Sequence, residues 1–169
     1  SQDVDEKYVK VAREFAGLLA KNGYHLVWGG TDTGLMKVIA DEIQKGGRKL
    51  HGVTIQRFHH LARENADEMI LAKTLGERKA AFLEKGDAIV ALVGGIGTLD
   101  ELTEIIELRK TGHHNKPIII LNTEGFYEGL RVQLQKMKDD GFIPQSLHDL
   151  VHFTDTPQEA IDYINETLM

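Results

Sequence analysis

Short apolar runs alternate with segments of helical period along nearly the whole chain, and two of the junctions between them are rich in glycine. That alternation constrains the fold more than any other feature. The runs are Tyr24 to Trp28, Leu50 to Thr54, Met69 to Ala72, Asp87 to Val93, Pro117 to Leu121 and Leu150 to Phe153. Between them the spacing becomes helical, as at Leu35, Val38, Ile39 and Ile43, at Leu99, Leu102, Ile105 and Ile106, and at Phe126, Leu130, Leu134 and Met137. Thr74 to Lys85, closed by Gly86, and the apolar set Ala160, Ile161, Ile164 and Leu168 complete the helical segments. Near-continuous Val, Ile and Leu runs suit strands covered on both faces, and strict strand-helix alternation suits parallel pairing. The expectation is an α/β fold: a three-layer, doubly wound, mostly parallel sheet of Rossmann-like kind, whose ligand crevice lies beyond the carboxyl ends of the strands.

A chain of 169 residues fits one ordinary domain, taken as 1–169. With 41% hydrophobic and 27% charged residues it has the composition of a globular protein with a real core. The net charge of −6 and the dispersed basic residues lack the electrostatic footprint of a nucleic-acid binder, so an anionic ligand would need a local device. No cysteine is present, which excludes disulfides, thiolate catalysis and Cys-based metal sites. No apolar run approaches the ~18–20 residues of a membrane span and no signal peptide opens the sequence, so the expected compartment is the cytoplasm.

Two segments depart from the regular alternation. Ile55 to Asn65 has no clear period and is rich in His, Arg and Glu, which marks it as a candidate functional surface loop. The chain also opens with a helix, carried by Tyr8, Val11, Phe15, Leu18 and Leu19 and closed by Asn22-Gly23, where a doubly wound unit normally opens with a strand. Either the first strand is absent or residue 1 is not the native start.

The two glycine-rich junctions are Gly29-Gly30-Thr31-Asp32-Thr33-Gly34 and Gly94-Gly95-Ile96-Gly97-Thr98. Both are strand-to-helix turns and are expected to line one crevice. Glycine lets a backbone approach a ligand, and the helix that follows offers unpaired N–H groups and the positive end of its dipole, a combination that suits phosphate. Neither turn is a Walker A loop or a G-x-G-x-x-G fingerprint, which argues against a kinase or a standard dehydrogenase. Thr98 and Glu101 have two readings. Thr-x-x-Glu at a helix start is the spacing of a capping box, yet Glu101 one turn into a helix that faces the crevice could equally meet a sugar or a water.

The stretch Val93-Gly94-Gly95-Ile96-Gly97-Thr98-Leu99-Asp100-Glu101 resembles the P-G-G-x-G-T-x-x-E signature of the LOG-type phosphoribohydrolases, many of whose members were once labelled lysine decarboxylases. Val93 stands in place of the proline. Upstream, Glu77-Arg78-Lys79 resembles the family's E-R-K element at the expected separation. Gly29 to Met36 resembles its G-G-G-x-x-G-L-M, with Thr31 for the third glycine and Lys37 where another glycine is usual. Asn115-Lys116-Pro117 and Gly125-Phe126-Tyr127 also fit, so the resemblance covers almost the whole chain. Members of that family begin with a strand ending in a Gly-Ser-Ser turn, of which Ser1 would be the remnant; the missing strand would then lie beside the Tyr24 to Trp28 run.

The resemblance implies hydrolysis of the N-glycosidic bond of a nucleoside 5′-monophosphate, a possibly N6-modified purine such as a cytokinin nucleotide, to free base and ribose 5-phosphate. It implies Glu101 and Arg78 as catalytic residues. It further implies Gly30, Lys79, Gly94, Gly95, Gly97 and Thr98 as substrate-binding residues, no cofactor, an AMP-like nucleotide as the small-molecule partner, no nucleic acid or membrane partner, and a homodimer. A carboxylate can oppose the positive charge that develops on the sugar and orient or deprotonate water. Arg78 would orient and add charge, since a guanidinium with a pKa above about 12 cannot donate a proton at neutral pH. The competing reading is a carrier or binding protein of the same fold, for a nucleotide or a molybdenum cofactor. Amino-acid decarboxylation has little support, as no lysine stands in a context that marks a pyridoxal phosphate anchor. The pairs His59-His60 and His113-His114 do not have metal-ligand spacing, and no metal is expected.

Overall fold

The computed structural model describes residues 4–168. Ser1, read above as the remnant of a Gly-Ser-Ser turn, lies outside them. The chain divides after Gly86 into two compact units.

The first unit opens with α1 (Glu6–Lys21), which Asp5 caps by accepting a hydrogen bond from the Lys7 N–H. Its apolar face, Ala12, Phe15, Ala16 and Leu19, is buried, and α1 packs on α2 (Gly34–Lys45). The strands β1 (Leu26–Trp28), β2 (Leu50–Ile55) and β3 (Glu68–Ala72) form a parallel sheet in chain order. Among the described residues β2 is the one ladder partner of β1. Helix α3 (Leu75–Lys85) closes the unit and packs on all three strands.

Parallel neighbours need a crossover of about a dozen residues. Between β1 and β2 that crossover is α2; between β2 and β3 it is the aperiodic segment expected to be a surface loop. Gln56–Leu61 is in fact a 3-10 helix, and the residues that follow return to the turn after β1 through an isolated antiparallel bridge between Thr31 and Ala62. Its polarity reflects an exposed crossover whose far end is tied down.

The second unit carries β4 (Ile89–Ala91), α4 (Ile96–Lys110), β5 (Ile118–Leu121), α5 (Glu128–Asp139), α6 (Leu147–Leu150), β6 (His152–Thr154) and α7 (Pro157–Leu168). Its sheet is again parallel and in chain order, with all four β5 side chains buried. Leu102, Ile105, Ile106, Leu134 and Leu150 share one core cluster with Ala91 of β4 and with Ile118 and Ile120 of β5. The Leu150 to Phe153 run, expected as one strand, splits: Ser146 accepts from the Asp149 N–H and caps a single helical turn that ends at Leu150, so the strand starts two residues later. A short apolar run does not by itself distinguish strand from helix.

The His152 ring stacks on Tyr163 at 3.8 Å, with the His148 ring edge-on at 5.4 Å. Burial, and then the neighbouring charge of His148, holds His152 below the ordinary histidine range. A histidine with a depressed folded pKa binds its proton more readily in the unfolded chain, so its protonation favours unfolding as pH falls through the unfolded value of about 6.5 toward the folded one. The thermal midpoint of the wild type is therefore expected to fall further between pH 7.5 and 5.5 than that of His152→Gln. Parallel profiles would show that this histidine does not report on folding.

Candidate nucleotide site

Each glycine turn leaves the carboxyl end of the strand before it, the position at which parallel α/β sheets bind ligands. In the first unit Gly30 has φ +76°, a left-handed conformation that disfavours any side chain. A Cβ there would also sit 2.8 Å from the Met69 sulfur. Thr31, the departure from a third glycine, does not have a positive φ; it is buried and its hydroxyl reaches the Met36 sulfur at 3.3 Å. The substitution at 31 is thus absorbed without backbone strain. Lys37, where another glycine is usual, lies on α2 with its ammonium 3.1 Å from Asp41 and 3.8 Å from Asp32.

Arg78 lies in the same unit. Its Nε donates to the Val53 carbonyl at 3.0 Å, its guanidinium lies over the Phe82 ring at 4.8 Å, and one of its terminal nitrogens is 2.7 Å from where a Cβ on Gly29 would be. Glycine at 29 therefore makes room for Arg78, and the fold brings that arginine to the first glycine turn. Its neighbour Lys79 is half-buried on α3.

The helix that presents these two residues is held by a capping arrangement of the kind weighed for Thr98 and Glu101. Thr74 accepts from the Glu77 N–H at 3.1 Å, and the Glu77 carboxylate accepts from the Lys73 N–H at 2.8 Å. This is a variant of the Thr-x-x-Glu device, and it fixes the first turn of α3.

In the second unit the same spacing at Thr98 and Glu101 does not cap. Helix α4 begins at Ile96, its N-cap is Gly95, and no side chain caps it. Thr98 is already the third helical residue. Its side chain folds back on Gly94, where an added Cβ would sit 2.8 Å from the Thr98 Cβ. Glu101, half-buried, is one turn further along the same helix face. Of its two readings, the N-terminal capping box is the one the helix start removes.

Helices α1, α3 and α6 each open on a side-chain cap. Both helices that follow glycine turns, α2 and α4, open without one. Helix α5 also lacks a side-chain cap, but it continues out of a 3-10 turn at Thr123–Gly125. Gly94, Gly95 and Gly97 are exposed, and no atom lies within 4 Å of a Cβ built at Gly95 or Gly97. The front of α4 therefore offers first-turn amides to whatever approaches it.

Two residues whose roles the sequence reading missed hold these turns in place. Arg63 serves the first and is treated below. Tyr127 serves the second: its hydroxyl donates to the Leu92 carbonyl at 2.7 Å, and its amide N–H donates to the buried Asn122 side chain at 2.7 Å. Burial pushes the phenol up to about 12, so it remains a donor throughout the physiological range. Tyr127→Phe leaves the Leu92 carbonyl without its donor and is expected to cost about 1–3 kcal/mol in chemical denaturation. An unchanged midpoint would mean that water replaces the hydroxyl without loss. His114 is structural: it accepts from the Lys116 N–H at 3.2 Å and its other ring nitrogen lies 3.0 Å from the Ile105 carbonyl within α4.

Parallel sheets with flanking helices and glycine turns at strand ends define the three-layer α/β class. A solved molybdenum cofactor binding protein from Rippkaea orientalis shares that fold, with a TM-score of 0.77 at 20% identity, covering 99% of this chain and 92% of that one. The chain belongs to the LOG family, whose model, described as "Possible lysine decarboxylase", matches residues 36–164. A protein of Oryza sativa subsp. japonica named probable cytokinin riboside 5′-monophosphate phosphoribohydrolase is 33% identical over 161 residues, 94% of this chain. The chain spans 66% of that relative's length, just under two thirds. A cytokinin riboside 5′-monophosphate phosphoribohydrolase of Mycobacterium tuberculosis is 32% identical over 155 residues, covering 90% of this chain and 83% of that protein.

Proposed function

We propose that the protein hydrolyses the N-glycosidic bond of a purine nucleoside 5′-monophosphate, releasing the free base and ribose 5-phosphate. The observation that carries this reading is the uncapped start of α4, with three exposed glycines and Thr98 at the end of β4, in a chain whose relatives bear the names of phosphoribohydrolases. The phosphate is assigned to the amides of Gly94, Gly95 and Gly97 and to the Thr98 hydroxyl, where an anion gains backbone hydrogen bonds and the helix dipole. Glu101 is assigned the catalytic carboxylate. As the C–N bond breaks, the ribose becomes cationic and the base leaves with the bonding electron pair; the carboxylate opposes that charge and takes a proton from the water that adds to the sugar, and a proton is taken up by the departing base, so that one water is divided between ribose and base. Arg78 and Lys79 supply charge and orientation, and Gly30 allows close approach of the first turn.

We assign the working form to a homodimer in the cytoplasm. Large apolar side chains at Ile96, Val132 and Phe142, exposed by 83%, 60% and 74%, are candidates for burial in a partner. Light scattering at micromolar concentration is expected to give twice the chain mass, and the single-chain mass would remove the dimer. The function itself is tested with a panel of nucleoside 5′-monophosphates and the matching nucleosides, read as free base. Release from the monophosphate and little from the nucleoside is expected. The departures at Thr31, Lys37 and Val93 keep one other reading in view, a carrier of the same fold, which would bind a nucleotide and return it intact.

A further inference from the structure

The crossover from β2 to β3 carries an arginine, Arg63, that lies outside every motif named above. Arg63 is 9% exposed, and each of its three guanidinium nitrogens has a side-chain acceptor. One terminal nitrogen donates to Asp32 at 2.7 Å, the other meets Gln44 at 2.6 Å and Asp41 at 2.7 Å, and Nε donates to Asn65 at 2.9 Å. Its backbone N–H donates to the Gly30 carbonyl at 2.8 Å. Beside it the Asp32 N–H donates to the Leu61 carbonyl at 2.9 Å, next to the Thr31 to Ala62 bridge. A short piece of the crossover thus pairs with the glycine turn as a miniature strand, and one planar fork ties that turn, through Asp32, to α2, through Asp41 and Gln44.

We infer that Arg63 is a positioning residue for substrate binding, which holds the 29–34 turn in the one conformation that receives the nucleotide. The inference rests on the reading of that turn as part of the nucleotide site. A buried charge is costly unless it is paired and hydrogen-bonded, and here all three guanidinium nitrogens have side-chain acceptors, drawn from the glycine turn, from α2 and from the crossover itself. Lysine keeps the charge but has no fork, so it cannot hold Asp32 and α2 at once. Preorganising a turn removes an ordering cost from binding without altering the chemical step.

The test measures KM and kcat for base release from AMP in the wild type, Arg63→Lys, Asp32→Ala, the double variant and, as a control, Lys37→Ala. Arg63→Lys is expected to raise KM about tenfold with kcat nearly unchanged, because the lost contact acts on bound substrate and transition state alike. A purely structural role would instead lower apparent kcat with the folded fraction and leave KM alone, which overturns the inference. Asp32→Ala removes the carboxylate that ties Arg63 to the turn, together with its looser 3.8 Å contact to Lys37, and leaves Arg63 on α2, so with Lys37→Ala as the control for that second contact it still decides the matter if Arg63→Lys fails to fold: raised KM beyond the control supports, unchanged KM overturns. The KM increase of the double variant should be smaller than the product of the two single increases if both act through one contact, and an increase equal to that product counts against it. Calorimetric binding of AMP separates the two claims. Binding without base release defeats the hydrolase reading alone, and the Arg63 comparison is then read on Kd with the same expectations; no binding by the wild type defeats both.

Discussion

Glu101→Gln is expected to slow base release from a nucleoside 5′-monophosphate by about 10²-fold or more, with the circular dichroism of the wild type retained. Glutamine preserves the size of the side chain and most of its hydrogen bonding, so the change isolates the negative charge. The start of α4 at Ile96 sharpens the test. Had Thr98 been the N-cap, a slower variant could have been blamed on a lost capping partner; with Gly95 as the cap and Glu101 in the second turn, that explanation is gone. Base release at the wild-type rate by a folded Gln variant would remove Glu101 from the mechanism.

Gly97→Ala is expected to move stability and binding in opposite directions. Gly97 lies inside α4, does not have a positive φ, and has no atom within 4 Å of an added Cβ. Alanine there should stabilise the helix by up to about 1 kcal/mol, since glycine inside a helix carries an entropic cost that alanine does not. The same methyl stands in the space assigned to the phosphate, and KM for the nucleotide should rise about tenfold or more. A rise in the thermal midpoint together with an unchanged KM would place the phosphate elsewhere. Gly94→Ala is the contrasting case, because its Cβ would collide with Thr98 before any ligand arrives, and it should lose stability as well as binding.

The alternation of elements was legible because each element carries its own period: every expected helix is present, three of the six apolar runs contain their strand, and in two more the strand extends one residue past the run, at Ile55 and at Glu68. Where the reading slipped, a local hydrogen bond decided. Asp87 to Val93 trims to Ile89–Ala91 as the chain bends into the glycine turn, with the Leu92 carbonyl taken by Tyr127. Leu150 joined a helical turn because Ser146 capped it. Three Thr-x-x-Glu spacings stand in the sequence; those at Thr74 and Glu77 and at Thr156 and Glu159 cap their helices, while at Thr98 and Glu101 the helix has already started at Ile96 behind Gly95. The glycine turns and Arg78 were visible as motifs, and the turn at Gly29 shows why: the guanidinium needs the space a side chain would fill. Arg63 was not visible, because its partners at 32, 41, 44 and 65 come together only after the crossover folds back, and a lone arginine in a polar stretch carries no period.

The most direct measurement of the central claim is a product balance on AMP: the protein is incubated with excess AMP, and adenine, ribose 5-phosphate and remaining AMP are quantified together. The account predicts adenine and ribose 5-phosphate appearing in equal amounts over many turnovers, with adenosine turned over far more slowly. AMP that binds and is recovered intact, or phosphate release that leaves adenosine behind, would contradict it.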